Sequence, residues 1–116
     1  MKKRNKIAKD LHSLKYRKRV IKSRDIQEKR YIEDEMVHSN AQMGSKQIQK
    51  FCNLDKESRE MLKMAMEKLN LSARAYDRIL KVSRTISDLS NSENIEIQYI
   101  AEAIQYRSLD REGWAG

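Results

Sequence analysis

Two imidazoles, one thiol, a run of acids and a crowd of cations are the residues of this 116-residue chain whose types could do chemistry. His12 and His38 are far apart and have no cysteine at ligand spacing, so they do not read as a metal site, which for zinc needs several N or S donors converging. Cys52 has no base beside it in sequence and falls on an apolar face; it reads as a buried thiol rather than a nucleophile. Ile32–Glu33–Asp34–Glu35 looks like the acidic end of a magnesium-binding strand, but Lys29–Arg30–Tyr31 stands where the apolar strand should be, so a solvated loop is expected. Glycine occurs only at Gly44, Gly113 and Gly116. That is too few, and too widely spaced, for a Gly-rich loop that wraps phosphate in bare backbone N–H groups.

The cations are concentrated at one end. Residues 1–31 carry thirteen Lys/Arg against Asp10, Asp25 and Glu28, whereas residues 32–116 carry twelve against fourteen acids. The net charge of +8 therefore belongs to one N-terminal segment, and the remainder is near neutral. Lys15, Arg17, Lys18, Arg19, Lys22 and Arg24 can be read in two ways. One is a solvated face whose aliphatic stems lie along the fold. The other is a set of phosphate contacts to nucleic acid, driven by counterion release. A membrane surface fits poorly, because the apolar face is thin and lacks Trp and Phe. One cysteine, no apolar run long enough to span a bilayer and no signal-like start make the cytoplasm the expected location.

Helices must position these residues. Proline is absent, aromatic residues make up 6% and charged residues 36%, which suits a helical bundle better than a sandwich or barrel. The length implies one domain with a small core. Ile7, Leu11, Leu14 and Ile21 predict a basic amphipathic helix over about 12–31. Residues 32–44 show no period and read as a linker or folded loop, with Asn40 and Ser45 as possible caps. A short helix from Ser45 to Asn53 turns Ile48, Phe51 and Cys52 inward. Asp55 caps a helix over Lys56–Leu69 with Met61, Leu62, Ala65 and Leu69 inside, and Asn70 stops it in a left-handed conformation. Ser72 caps Ala73–Leu89, with Tyr76, Ile79, Leu80, Ser83, Ile86 and Leu89 on one face. After a turn at 90–94, Ile97–Tyr106 forms the last helix. The chain thus divides into a basic helix (1–31), a linker (32–44) and a helical domain (45–116).

From Ser72 onward the literal string carries more: SARAYDRILKVSRTISDLSNSENIEIQYIAEAIQYRSLDR. It resembles the end of the Mg-chelatase-related AAA+ ATPases of the ComM (YifB) type, where S-x-R-x-x-x-R-I-L-K-V-x-R-T-I-x-D-L is followed by I-A-E-A-I-Q-Y-R. NAQM at Asn40–Met43, the Cys52–Leu54 neighbourhood and RKRVIKSRDIQEKRY (17–31) are similar to the family as well. Residues 1–16 are not.

The resemblance implies an all-α, AAA+ lid-like bundle of about five helices beside a nucleotide site, with the ATPase core and neighbouring ring subunits as partners. It places the sensor-2 arginine at Arg74, its guanidinium fork directed at the γ-phosphate of ATP. A cation in a first helical turn is otherwise disfavoured by the helix dipole. Arg78 and Arg84 read as solvated surface arginines, with Arg78, one turn on, placed to assist. ATP and magnesium are expected in the parent ATPase and no cofactor in this stretch, since the family's Walker A, Walker B and arginine-finger regions lie upstream of the matching segment. ComM-type members are linked to DNA processing. On its own the chain is therefore expected not to be an enzyme. The rival expectation is a stand-alone basic module that binds nucleic acid directly.

Overall fold

The computed structural model describes the backbone of residues 2–114 and the side chains of residues 13–106. Among the described residues every regular element is helical: α1 (Lys2–Arg30), a 3₁₀ turn (Asn40–Gln42), α2 (Ser45–Phe51), α3 (Lys56–Lys68), α4 (Ala73–Leu89) and α5 (Ile97–Trp114). α4 is the central element, packed against α1, α2, α5 and the 3₁₀ turn.

The two best-defined helix starts follow directly from their caps. Asp55 accepts a hydrogen bond from the Ser58 N–H at 2.8 Å, and Ser72 Oγ accepts one from the Ala75 N–H at 3.2 Å. Each satisfies a backbone donor that the first helical turn leaves unpaired, worth ~1 kcal/mol relative to alanine. Asn70 follows α3 with φ of 50°, the left-handed conformation expected of it. Asn91 does the same after α4, at φ of 56°. Between these signals α4 occupies Ala73–Leu89 as its periodicity predicts, burying Ala75, Ile79, Leu80 and Ser83. The Ser83 and Ser87 hydroxyls donate back to the Ile79 and Ser83 carbonyls at 2.7 Å each, so both bury without stranding a polar atom. Opposite them lie Leu62 of α3, which is 0% exposed, and Ile100 and Ala103 of α5. Burying a leucine completely contributes ~1.5–3 kcal/mol.

Other elements depart from expectation. α1 begins at Lys2 rather than near residue 12, and α5 runs on to Trp114 rather than stopping at Tyr106. Neither extension contains a glycine or proline until Gly113, so nothing in the backbone chemistry ends either helix sooner. Leu14 and Ile21, read as an inward stripe, are exposed; the side chains of Ile7 and Leu11 lie outside the described residues. The packed face of α1 is instead Val20, Ser23, Gln27 and Arg30, at spacings of three and four. Tyr76 and Leu69, both placed on inward faces, are also partly exposed.

Residues 32–44 are folded into the domain. Tyr31, Val37 and Met43 belong to the hydrophobic core, and Tyr31 meets Phe51 edge-on with ring centroids 5.4 Å apart. Tyr31, Val37 and Met43 stand six residues apart, a spacing that falls on no single helical face, and no alternating run joins them, so periodicity gives no sign of the burial. α2 is capped by Gly44 rather than by Asn40 or Ser45: the Gly44 N–H donates to Gln47 Oε1 at 3.0 Å.

Candidate functional site

Arg74 stands in the first turn of α4, two residues past the capping Ser72, and is exposed to solvent. The cap fixes where the helix begins and hence the direction in which this turn presents its side chains. Arg74 lines an open cleft of ≈ 950 Å³ that runs along α4, with α1 and α5 contributing to its walls. Four cations border the cleft: Arg19 from α1, and Arg74, Arg78 and Lys81 from α4. Arg74, Arg78 and Lys81 recur at four and three, so one helical face carries all three. Asp77 and Glu102 offset part of that charge; Val82, Ile86 and Leu89 supply an apolar lining. Lys81 Nζ also donates to the Ala41 carbonyl at 3.3 Å. Two groups of residues that sequence reasoning kept separate thus meet here, since Arg19 came from the nucleic-acid cluster and Arg74 and Arg78 from the nucleotide one.

The opposite end of α4 holds a buried ionic network. Asp88 has a fully buried carboxylate and takes both forks of Arg30, at 2.7 Å each. Arg84 Nη2 lies 3.3 Å from the same carboxylate and donates to the Ser92 carbonyl at 2.9 Å, while its Nη1 donates to the Glu93 carbonyl at 3.0 Å. Asn40, 1% exposed, completes the set. Its amide donates to Asp88 and to Thr85 Oγ1, and its carbonyl oxygen accepts from Tyr31 Oη and Arg30. One carboxylate therefore joins α1, the 3₁₀ turn, α4 and the 92–93 turn. Burial works against the charge on Arg30, but hydrogen bonds and attraction from Asp88 outweigh it and raise its pKa above the ordinary arginine value. Burial wins at Arg84, whose pKa is lowered from the ordinary arginine value.

Arg84 corrects the sequence reading. Read as a solvated arginine, it is 4% exposed, with backbone carbonyls and Asp88 taking the place of water at its two terminal nitrogens. Sequence reasoning missed the network entirely. The available signal was Arg84 and Asp88 at i, i+4 beside the buried Ser83 and Ser87.

Elsewhere, Lys15, Arg17, Lys18, Arg19, Lys22 and Arg24 are all exposed. Cys52 is buried, and burial pushes its thiol up to about 11, so it stays protonated at neutral pH. His38 is exposed, while His12 lies outside the described side chains. Among the described residues no three of His, Cys, Asp and Glu gather to hold a metal ion, and no helix is long and apolar enough to cross a membrane.

Residues 10–107 match the family described as magnesium chelatase, subunit ChlI C-terminal. The chain belongs to this family. Competence protein ComM of Haemophilus influenzae is 42% identical over 99 residues, covering 85% of this chain and 18% of that protein. Two proteins called uncharacterized protein YifB, from Escherichia coli and Salmonella typhimurium, are 43% and 40% identical over 72 residues, 62% of this chain and 14% of each of them. The chain thus spans less than a fifth of the length of these relatives and is a Mg-chelatase C-terminal domain of the ComM/YifB type. No solved structure matches it. The family match starts at residue 10, ahead of residue 17 where the resemblance was read to begin, so it takes in most of α1.

Proposed function

We propose that this chain is the helical lid of an oligomeric, cytoplasmic AAA+ ATPase, with Arg74 contacting the γ-phosphate of ATP and coupling nucleotide state to lid position. The supporting observation is where Arg74 sits: exposed, in the first turn of a capped and well-packed helix, at a cleft bordered by four cations. A guanidinium there can bind a phosphate oxygen pair through its planar fork. The side chains fit an outer phosphate, but they do not fit the metal, which prefers carboxylates and phosphate oxygens in octahedral array. Magnesium and most of the phosphate cradle would come from the ATPase core, and ATP supplies the hydrolysable phosphoanhydride. Arg78, one turn further along α4, would assist. The network at Asp88 ties α4 to α1, whose residues 17–31 resemble the family segment that leads from the ATPase core into the lid, so Arg74 would pull on a helix already fastened to that segment. The name competence protein, borne by the Haemophilus influenzae relative, fits a parent motor that processes DNA.

Nucleotide binding should depend on the parent. Calorimetric titration of Mg-ATP into the isolated chain should show no saturable binding below about millimolar, where binding is worth only ~4 kcal/mol. The same titration into the full-length ATPase should saturate and weaken with Arg74→Ala. Micromolar affinity in the isolated chain would place a complete nucleotide site within these residues and overturn the lid assignment.

The exposure of all six cations at Lys15–Arg24 favours a second reading, in which α1 binds nucleic acid directly. Such binding should be non-specific and fall steeply with salt, with a log–log slope near −0.9 per phosphate contact on duplex DNA. Filter binding or fluorescence anisotropy across a salt series measures this. An affinity indifferent to salt, or unchanged on deleting residues 1–24, counts against phosphate contacts by this helix.

A further inference from the structure

The six exposed cations of α1 do not share one face. Val20, Ser23, Gln27 and Arg30 form the stripe of α1 that packs on the domain, and Arg19 continues it, one turn ahead of buried Ser23 and nearly in line with Arg30. At ~100° per residue, Lys15, Arg17, Lys18, Lys22 and Arg24 point about a quarter-turn or more away from that stripe. Of the six, Arg19 alone borders the α4 cleft.

Register sets Arg19 against the start of α4. Arg30 is bonded to Asp88. About three turns earlier on each helix, ~16 Å at the α-helical rise, stand Arg19 and Asp77. Both border the cleft, so α1 and α4 run side by side in the same direction, and Arg19 comes level with the turn of α4 that carries Arg74 and Arg78. Asp77 and Glu102 also line the cleft. Among the described residues, however, neither acid pairs with Arg19 or Arg74, and neither guanidinium has a hydrogen-bond partner. Two unpaired guanidinium groups from different helices therefore border one opening.

We propose that Arg19 is a second phosphate-contacting residue of the nucleotide site, holding the polyphosphate of ATP from the α1 side as Arg74 holds it from the α4 side. This inference rests on the contact assigned to Arg74. A triphosphate carries more anionic oxygens than one planar fork can bind, and two forks approaching from two helices fix its direction. With four cations against Asp77 and Glu102, the cleft keeps a surplus of positive charge for such an anion. The Asp88 network already clamps α1 to α4, so neither fork has to draw the other's helix into place and little freedom is lost on binding. Arg19 thus parts from the other five cations, whose directions leave them to solvent or nucleic acid.

The test titrates a non-hydrolysable ATP analogue with magnesium into the full-length ATPase carrying Arg19→Ala, Arg19→Lys, Arg74→Ala or, as a control for charge, Lys29→Ala. Lys29 is an exposed cation of the same helix that does not border the cleft. Arg19→Ala should raise the Kd at least about tenfold, the loss expected of a charge-assisted contact. Arg19→Lys should recover part of that loss, and Lys29→Ala should bind as wild type does. Melting of the isolated domains should be the same for all five proteins. If Arg74→Ala weakens binding and Arg19→Ala does not, the inference is overturned while the lid reading stands. If neither weakens it, the lid reading fails and this inference with it. Equal weakening by Arg19→Ala and Lys29→Ala would mark a general effect of charge, and a lower melting temperature for Arg19→Ala would mark a structural arginine; either result overturns the inference.

Discussion

Asp88→Ala should destabilise the isolated domain by ~3–5 kcal/mol, because removing one partner of a buried ion pair leaves the other charge without compensation. Here two guanidinium groups lose their carboxylate at once. Arg30 is 12% exposed and can swing partly into solvent, but Arg84 is 5% exposed and pinned by the 92–93 carbonyls. Against a total stability of ~5–15 kcal/mol, a loss of that size removes a large fraction of the folding free energy. Melting should fall by tens of degrees, at about 4–8 °C per kcal/mol for a domain of roughly this size. Asp88→Asn keeps the shape and one carbonyl acceptor, so it should cost less than alanine while still weakening the attraction for both arginines. Chemical denaturation of the three proteins measures the differences. A cost below ~1 kcal/mol for alanine, the range of exposed pairs, would mean that the network contributes little to holding α1 on α4.

The contrast between that network and the helix boundaries shows what a sequence discloses. Asp55, Asn70 and Ser72 act on backbone groups within three or so residues, so their effect is readable from the string alone. α4 and its buried stripe were legible for the same reason, as was the position of Arg74 two residues past a cap. The Arg30–Asp88 pair joins residues 58 apart in sequence, and only the packed fold brings them together. Arg84 looked like any surface arginine because burial of a cation depends on partners, two of which are backbone carbonyls in a turn. Asn40 reads as a possible cap and as part of the NAQM string, neither of which points to its place at the centre of the network. The loop residues Tyr31, Val37 and Met43 stand six apart, off any one helical face and with no alternating run between them, so their place in the core had no local signature. For the candidate site, the residue types were visible on the chain, but their convergence on one cleft was not: Arg19 and Lys81 are brought to a common surface by the packing of α1 on α4.

Arg74→Ala should leave the fold intact and abolish or greatly slow ATP-driven work in the parent ATPase. The side chain is exposed, and alanine is the better helix former, so stability should change by no more than ~0.5 kcal/mol. Leu80→Ala provides the structural contrast: it empties a core position that is 3% exposed and should cost ~2–5 kcal/mol. In the motor, Arg74→Ala would remove charge-assisted hydrogen bonds made to a phosphate whose negative charge must be stabilised during hydrolysis. Loss of a single such donor costs ~10²–10³-fold in rate in enzymes where it has been removed. Lysine restores the charge but not the planar fork, so Arg74→Lys should recover only part of the activity.

The most direct measurement is therefore the steady-state ATPase rate of the full-length parent carrying this domain, compared among wild type, Arg74→Ala and Arg74→Lys, with melting of the three isolated domains as the control for folding. The lid account requires equal melting, a rate ~10²-fold or more lower for alanine, and an intermediate rate for lysine. Wild-type turnover in a stably folded Arg74→Ala protein would contradict it, and so would an Arg74→Ala domain that no longer folds.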